Sequence, residues 1–443
     1  MNHDSGTTTP VAKSPHGWRW IGILVVAALT IPPAWTQPSD AASDNSETNA
    51  VEVLPSAVAV EIAMRITGEV ETLRELAFKR EVPIRVIDDD EARTHMVRRL
   101  EKFQTLEELE QTQRSYELLG LLPEGFDLVE TILEVLREQA GGFYDPDSGA
   151  FFVLDDIPSA MAPVIIAHEL THALEDQHFD LDKRLQEVKH DDDRVLARSA
   201  IHEGSATLLM TVYTSQAMQS GELDAAALLS FAELEQEKAA TLDRLPPVFR
   251  RQLLAPYLLG SSFLVRGDLA GVMTQGYPTA DINRVYADPP QSSEQILHPE
   301  KYWDEGARDE PRPVALGNAG RQLGRGWYKA IDGTLGELTI GLLVGAATPI
   351  GAGGAQQPDR WTNEAASGWD GDRWELWEAD GSTVVLMGAV WDSPADAEEF
   401  VAALAGRRGM TWKAEGSSVA LIAGDAGDRT ERVLNRILKN LSD

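Results

Sequence analysis

From Val164 to Leu181 the chain reads VIIAHELTHALEDQHFDL. His168 and His172 are one helical turn apart, so both imidazoles leave the same face and can grip one metal ion. Glu169, next to the first histidine, can reach a water on that ion without ligating it. The flanks are apolar, which places the helix in a core. Asp156 or Ser159 can cap its start, with Pro158 in the first turn.

Two histidines are too few for a catalytic zinc, which needs a third protein ligand and an open position. His178 lies six positions after His172, the spacing of H-E-x-x-H-x-x-G-x-x-H. That pattern uses its glycine to break the helix, and Glu175, a good helix former, stands there instead. Glu203, in AIHEGSATLLM on the next long helix, is the better-placed third ligand, and the small Gly204 and Ala206 would let that helix pack against the first. His202 also competes for the role but points about 100° away around the same helix. Asp176 is a candidate partner for a ligating histidine or for the helix end.

The composition narrows the chemistry. The chain has 443 residues, no cysteine, and 71 Asp and Glu against 39 Lys and Arg, for a formal charge of -32. Without thiolates, any metal must be held by His, Asp or Glu. So acidic a protein is a poor partner for nucleic acid or an anionic membrane surface. The acidic runs at 88–90 and 191–193 read as solvated loops rather than calcium sites.

Residues 1–35 read as a signal peptide or an N-terminal membrane anchor. Lys13, His16 and Arg19 precede WIGILVVAALTI, a run the length of a signal core and short for a membrane span. The bulk of the chain is therefore expected outside the cytoplasm, tethered if the segment is kept. Residues 36–50 form a polar linker.

The remainder predicts a mainly helical α+β protein: a domain over 51–310, a connecting segment over 311–360 and a smaller α+β domain over 361–443. VPIRVID is a strand candidate, GGFYDPDSGAFFVLDD a hairpin, and the edge of its second strand, Ala150 to Leu154, could hold an extended peptide. Helices are expected at about 90–120, 126–140, 194–219, 223–242 and 246–271, and a Gly-rich hinge at 344–358. The C-terminal domain reads as strands at 374–378, 383–391 and 418–423 with helices at 394–405 and 429–441. Residues 51–140 are either integral to the first domain or a cover over its cleft.

HELTHA is similar to the active-site helix of gluzincin, thermolysin-like, metallopeptidases, and EGSAT resembles their downstream glutamate helix. With PYLLGSSF, PPQSSEQILHPEKY and AASGWDGDR, the chain also resembles an exported bacterial family carrying H-E-x-x-H, over most of residues 55–425. The resemblance implies a zincin-like fold, Zn2+ on His168, His172 and Glu203, and Glu169 as general base for hydrolysis of a peptide or protein substrate. One position departs: gluzincins place an Asp four residues after the ligand glutamate, and here it is Thr207. For the donor to the tetrahedral oxyanion, His298 and Tyr302 are the first choices and Tyr257 the next. The rival readings are a catalytically inactive zincin-like binding or assembly protein of the cell envelope, a metal-free scaffold, and a zinc hydrolase of other amides or esters.

Overall fold

Two helices buried on nearly every side organise the described chain: one carries the histidine motif and the other carries Glu203. The computed structural model describes residues 55–139, 141–155, 159, 162–223, 242, 244–345 and 357–442. The expected export segment and linker, the Asp156 cap with Pro158, nearly all of the 223–242 helix and the centre of the Gly-rich hinge lie outside those residues.

The first part runs α1 (Ser56–Arg74), β1 (Ile84–Ile87), α2 (Asp89–Phe103), α3 (Leu106–Leu118), α4 (Leu128–Gln139), β2 (Gly142–Asp145), β3 (Ala150–Leu154), α5 (Ala162–Phe179), α6 (Leu181–Val188) and α7 (Asp192–Ser220). It continues through α8 (Pro247–Leu264), α9 (Leu269–Gln275), α10 (Thr279–Ala287), α11 (Ser293–Leu297) and α12 (Glu300–Trp303). The fold is mainly helical α+β. None of these helices, nor any other among the described residues, is long and apolar enough to cross a membrane.

Local chemistry sets the breaks. The helix expected at 90–120 is two, because Thr105 and Glu108 close a capping box that starts α3. The helix expected at 246–271 is also two, divided where Arg266 and Gly267 take left-handed backbone at φ 52° and 83°. The described part of segment 51–140, residues 55–139, is integral: β1 pairs in parallel with β3, and α1 packs on α5.

The first sheet has the order β1-β3-β2. This corrects the expected peptide edge. β3, the Ala150 to Leu154 strand, is buried between two partners, and the edge strand beside α5 is β2.

The second sheet comprises β4 (Tyr328–Gly333), β5 (Trp369–Ala379), β6 (Ser382–Trp391), β7 (Met410–Glu415) and β8 (Ser418–Gly424), in the order β4-β5-β6-β8-β7. With it go α13 (Gly336–Val344), α14 (Pro394–Leu404) and α15 (Thr430–Ser442). The boundary expected at 361 therefore misses β4 and α13, which belong to this unit. Val385, Met387 and Ala389 of β6 join the core shared with α14 and the N-terminal helices, while Val384, Leu386 and Val390 meet α15. A strand covered on both faces reads as a continuous apolar run, as STVVLMGAVW does.

The closest helix contact is between α7 and α8. A Cβ on Gly260 would lie 1.9 Å from the Ala200 carbonyl oxygen, and one on Gly204 would lie 2.4 Å from the Gly260 carbonyl carbon. Gly204 thus serves the α8 contact and not, as the sequence suggested, packing against α5. Gly260→Ala is expected to cost about 3 kcal/mol or more by forcing these backbones apart. Gly68→Ala, in open space on the solvent face of α1, is expected to gain about 0.5–1 kcal/mol. Urea melts of the two variants check both signs, and an unshifted midpoint for Gly260→Ala would show that the helices part freely.

Candidate metal centre

α5 brings His168 and His172 to one face, and α7 lies alongside with Glu203 opposite them. The three donor atoms form a small triangle. His168 Nε2 and His172 Nε2 are 3.0 Å apart, and each is 3.3 Å from Glu203 Oε2. Donors held at about 2.0 Å from a tetrahedral zinc lie about 3.3 Å from one another, so the triangle has the dimensions such an ion requires. Two imidazole nitrogens and one carboxylate oxygen also match zinc in ligand type.

One other trio of acids comes together among the described residues, Glu294, Asp309 and Asp392. Its centre is taken: Lys301 Nζ donates to the three at 2.6, 2.8 and 3.0 Å.

Glu169 lies beside the triangle without joining it. Its Oε2 accepts the Tyr144 backbone N–H at 3.0 Å. In an antiparallel pair a residue's N–H and C=O face the same side, and Tyr144 turns both away from β3, toward the open edge of β2. Burial, with help from the Glu203 charge, pushes the Glu169 carboxyl up to about 8, although His172 pulls the other way. Asp176 makes no bond to His172. It accepts the Tyr144 hydroxyl at 3.0 Å and so anchors β2 a second time.

A cleft opens on this group, lined among others by Phe143, Tyr144, Glu169, His172, Leu181, Leu185, His202 and Glu203. Arg99 of α2 reaches the same cleft and pairs with Asp182 at 3.2 Å. Neither Arg99 nor Tyr144 carries a motif signal, so sequence reasoning passed over both.

His178 takes no part in the triangle. The α5 helix continues unbroken through Glu175, and His178 Nε2 meets the Ala77 carbonyl oxygen at 2.8 Å. His202 lines the cleft outside the triangle. Tyr257 is buried behind the site, its ring 6.2 Å from that of His168. His298 and Tyr302, expected beside the substrate carbonyl, are elsewhere. His298 caps α11 and pairs with the buried Glu337 at 3.0 Å, and the Tyr302 hydroxyl donates to the Asp288 carbonyl oxygen. Pro299 caps the one-turn helix that follows, Glu300–Trp303, which contains Tyr302. At the position that departs from the gluzincin pattern, Thr207 Oγ1 is buried without a hydrogen-bond partner, as is His168 Nδ1.

Residues 328–432 match a domain family described as a domain of unknown function (DUF8575). The match begins where β4 begins and leaves the histidine helix outside it. No curated protein and no solved structure matches the chain.

Two measurements follow. Glu203→Ala is expected to abolish stoichiometric zinc binding and His178→Ala to leave it intact, read by metal analysis after dialysis. Burial alone would lower His172, but the Glu203 carboxylate outweighs it and raises the imidazole to about 9 in the metal-free protein. A cation must displace that proton, so zinc affinity should rise about tenfold per pH unit from pH 6 to 8. Calorimetry in buffers of different ionisation enthalpy checks the release, and a pH-independent affinity would contradict it.

Proposed function

We propose that this protein is a zinc-dependent peptide hydrolase of gluzincin type. The observation that carries the reading is the buried carboxylate of Glu169, held beside the triangle by a strand amide and excluded from ligation. A purely structural metal site has no use for it. His168, His172 and Glu203 would hold the ion, which when bound polarises a carbonyl and lowers the pKa of a water.

The chain's own groups account for the proton traffic. As the attacking water's oxygen bonds to the carbonyl carbon, Glu169 takes its proton. Glu169 then gives that proton to the amide nitrogen as the C–N bond breaks, leaving an acid and an amine. Burial raises the proton affinity of the Glu169 carboxyl in the metal-free protein, and a cation held by the neighbouring ligands would lower it again, leaving a carboxylate able to accept the water's proton. The Tyr144 amide fixes which way the carboxylate faces.

The cleft supports a peptide as the substrate. β2 is an edge strand on which Gly142 turns its N–H and C=O outward and Tyr144 its C=O, the Tyr144 N–H being held by Glu169, and Pro146, with no N–H, ends the run. Phe143, Leu181 and Leu185 offer apolar contact. Export of the chain through its N-terminal segment would bring it to substrates of the cell envelope or beyond.

Zinc-loaded protein incubated with a mixed peptide library should generate new N-termini detectable by mass spectrometry. Glu169→Gln should lower the rate by about 10²–10⁴-fold and keep its zinc. A zinc-loaded wild-type chain that releases no fragment, or a Glu169→Gln variant as fast as wild type, would defeat the proposal in favour of a binding role.

A further inference from the structure

The reaction leaves one need unfilled, since an oxyanion forming on the carbonyl calls for a hydrogen-bond donor besides the ion. The residues first considered for it, His298 and Tyr302, are bonded elsewhere. The cleft itself offers few donors. Arg99 pairs with Asp182 through Nη2 while its Nη1 is closed off from solvent, and the Tyr144 hydroxyl is given to Asp176. The Tyr257 hydroxyl is buried behind Glu203, and Ser199 Oγ is enclosed in the wall.

His202 remains. It precedes Glu203 on α7 and lines the same cleft as Glu169 and His172. The side chain is held in place, with its ring stacked on Tyr286 at 5.9 Å and 25°, and the Tyr286 hydroxyl in turn donates to buried Glu175 at 2.7 Å. Yet its ring nitrogens make no hydrogen bond among the described residues. An imidazole packed on Tyr286, on the wall beside the metal ligands and with no hydrogen bond among the described residues, is placed to meet a substrate oxygen.

We propose that His202 donates a hydrogen bond to the carbonyl oxygen of the substrate as that oxygen becomes the oxyanion of the tetrahedral adduct. The proposal rests on the peptide-hydrolase reading. No proton changes hands here: the N–H stays on the imidazole, and the water's proton travels by way of Glu169. Because the charge on that oxygen grows along the reaction, the contact acts on kcat more than on KM.

Two variants separate this role from packing. His202→Phe keeps a ring on Tyr286 and removes the N–H, whereas His202→Gln restores a donor. Each is compared with wild type for zinc content, for kcat and KM on the best library peptide, and for affinity toward two probes. N-phosphoryl-leucinamide presents tetrahedral oxyanions, and acetohydroxamate needs only the ion.

His202→Phe is expected to lose about 10²-fold or more in kcat and in affinity for the phosphoryl probe. Zinc content, KM and acetohydroxamate affinity should stay within about threefold, and His202→Gln should recover part of the loss. Loss of zinc in His202→Phe, equal weakening of both probes, or no weakening of the phosphoryl probe would each overturn the assignment. The probe comparison decides the matter even if no peptide is cleaved, in which case only the hydrolase reading falls. A wild-type chain that binds no zinc overturns both.

Discussion

The arrangement of the candidate metal site depends on a fully enclosed ion pair, Arg74 with Glu175, whose Nε and Oε1 are 2.7 Å apart. Glu175 sits less than one turn beyond His172. It also accepts Ser205 Oγ, two residues beyond Glu203, at 2.6 Å, and the Tyr286 hydroxyl at 2.7 Å. Arg74 Nη2 donates to Asn283 at 2.8 Å, and the guanidinium lies over the rings of Phe179 and Tyr277. One carboxylate therefore gathers α1, α5, α7 and α10, and it does so next to two of the three donor atoms.

Such a pair is a weak source of net stability, because two charges lose their water before they attract each other. Removing one partner is another matter, since a lone buried charge costs about 3–5 kcal/mol. The pair thus penalises any sliding of α5 along α7 that would separate them. Register between those helices is what a triangle of 3.0 and 3.3 Å requires. On the far side of α7 the Gly204 and Gly260 backbones meet with no space to spare, so α7 is fixed from both directions.

What the sequence made legible follows from distance along the chain. His168, Glu169 and His172 belong to one helical turn, and their geometry is set by helical period alone. Glu203 could be placed because a long apolar helix surrounds it. The Arg74 to Glu175 contact spans about a hundred residues and left no trace in spacing. His298 and Tyr302 drew attention by residue type, and only the fold reveals that Glu337 and Asp288 already hold them. β4 escaped notice because YKAIDG is short and lacks the alternation that marks a half-covered strand, and β7 because MTWKAE, though it alternates, is only six residues long and has no fully buried position. The central strand β6, apolar throughout, was plain.

β2 is fastened to α5 twice, by the Tyr144 amide on Glu169 and by the Tyr144 hydroxyl on Asp176. Those two carboxylates are about two turns apart on one helix face, so a single tyrosine spans a fixed length of α5 with its main chain at one end and its ring tip at the other. The residue behaves as a gauge block between strand and helix. A polypeptide laid along that strand would be indexed by its amide repeat, and the bond brought to Glu169 would be chosen by counting residues from Tyr144 before any side chain is read.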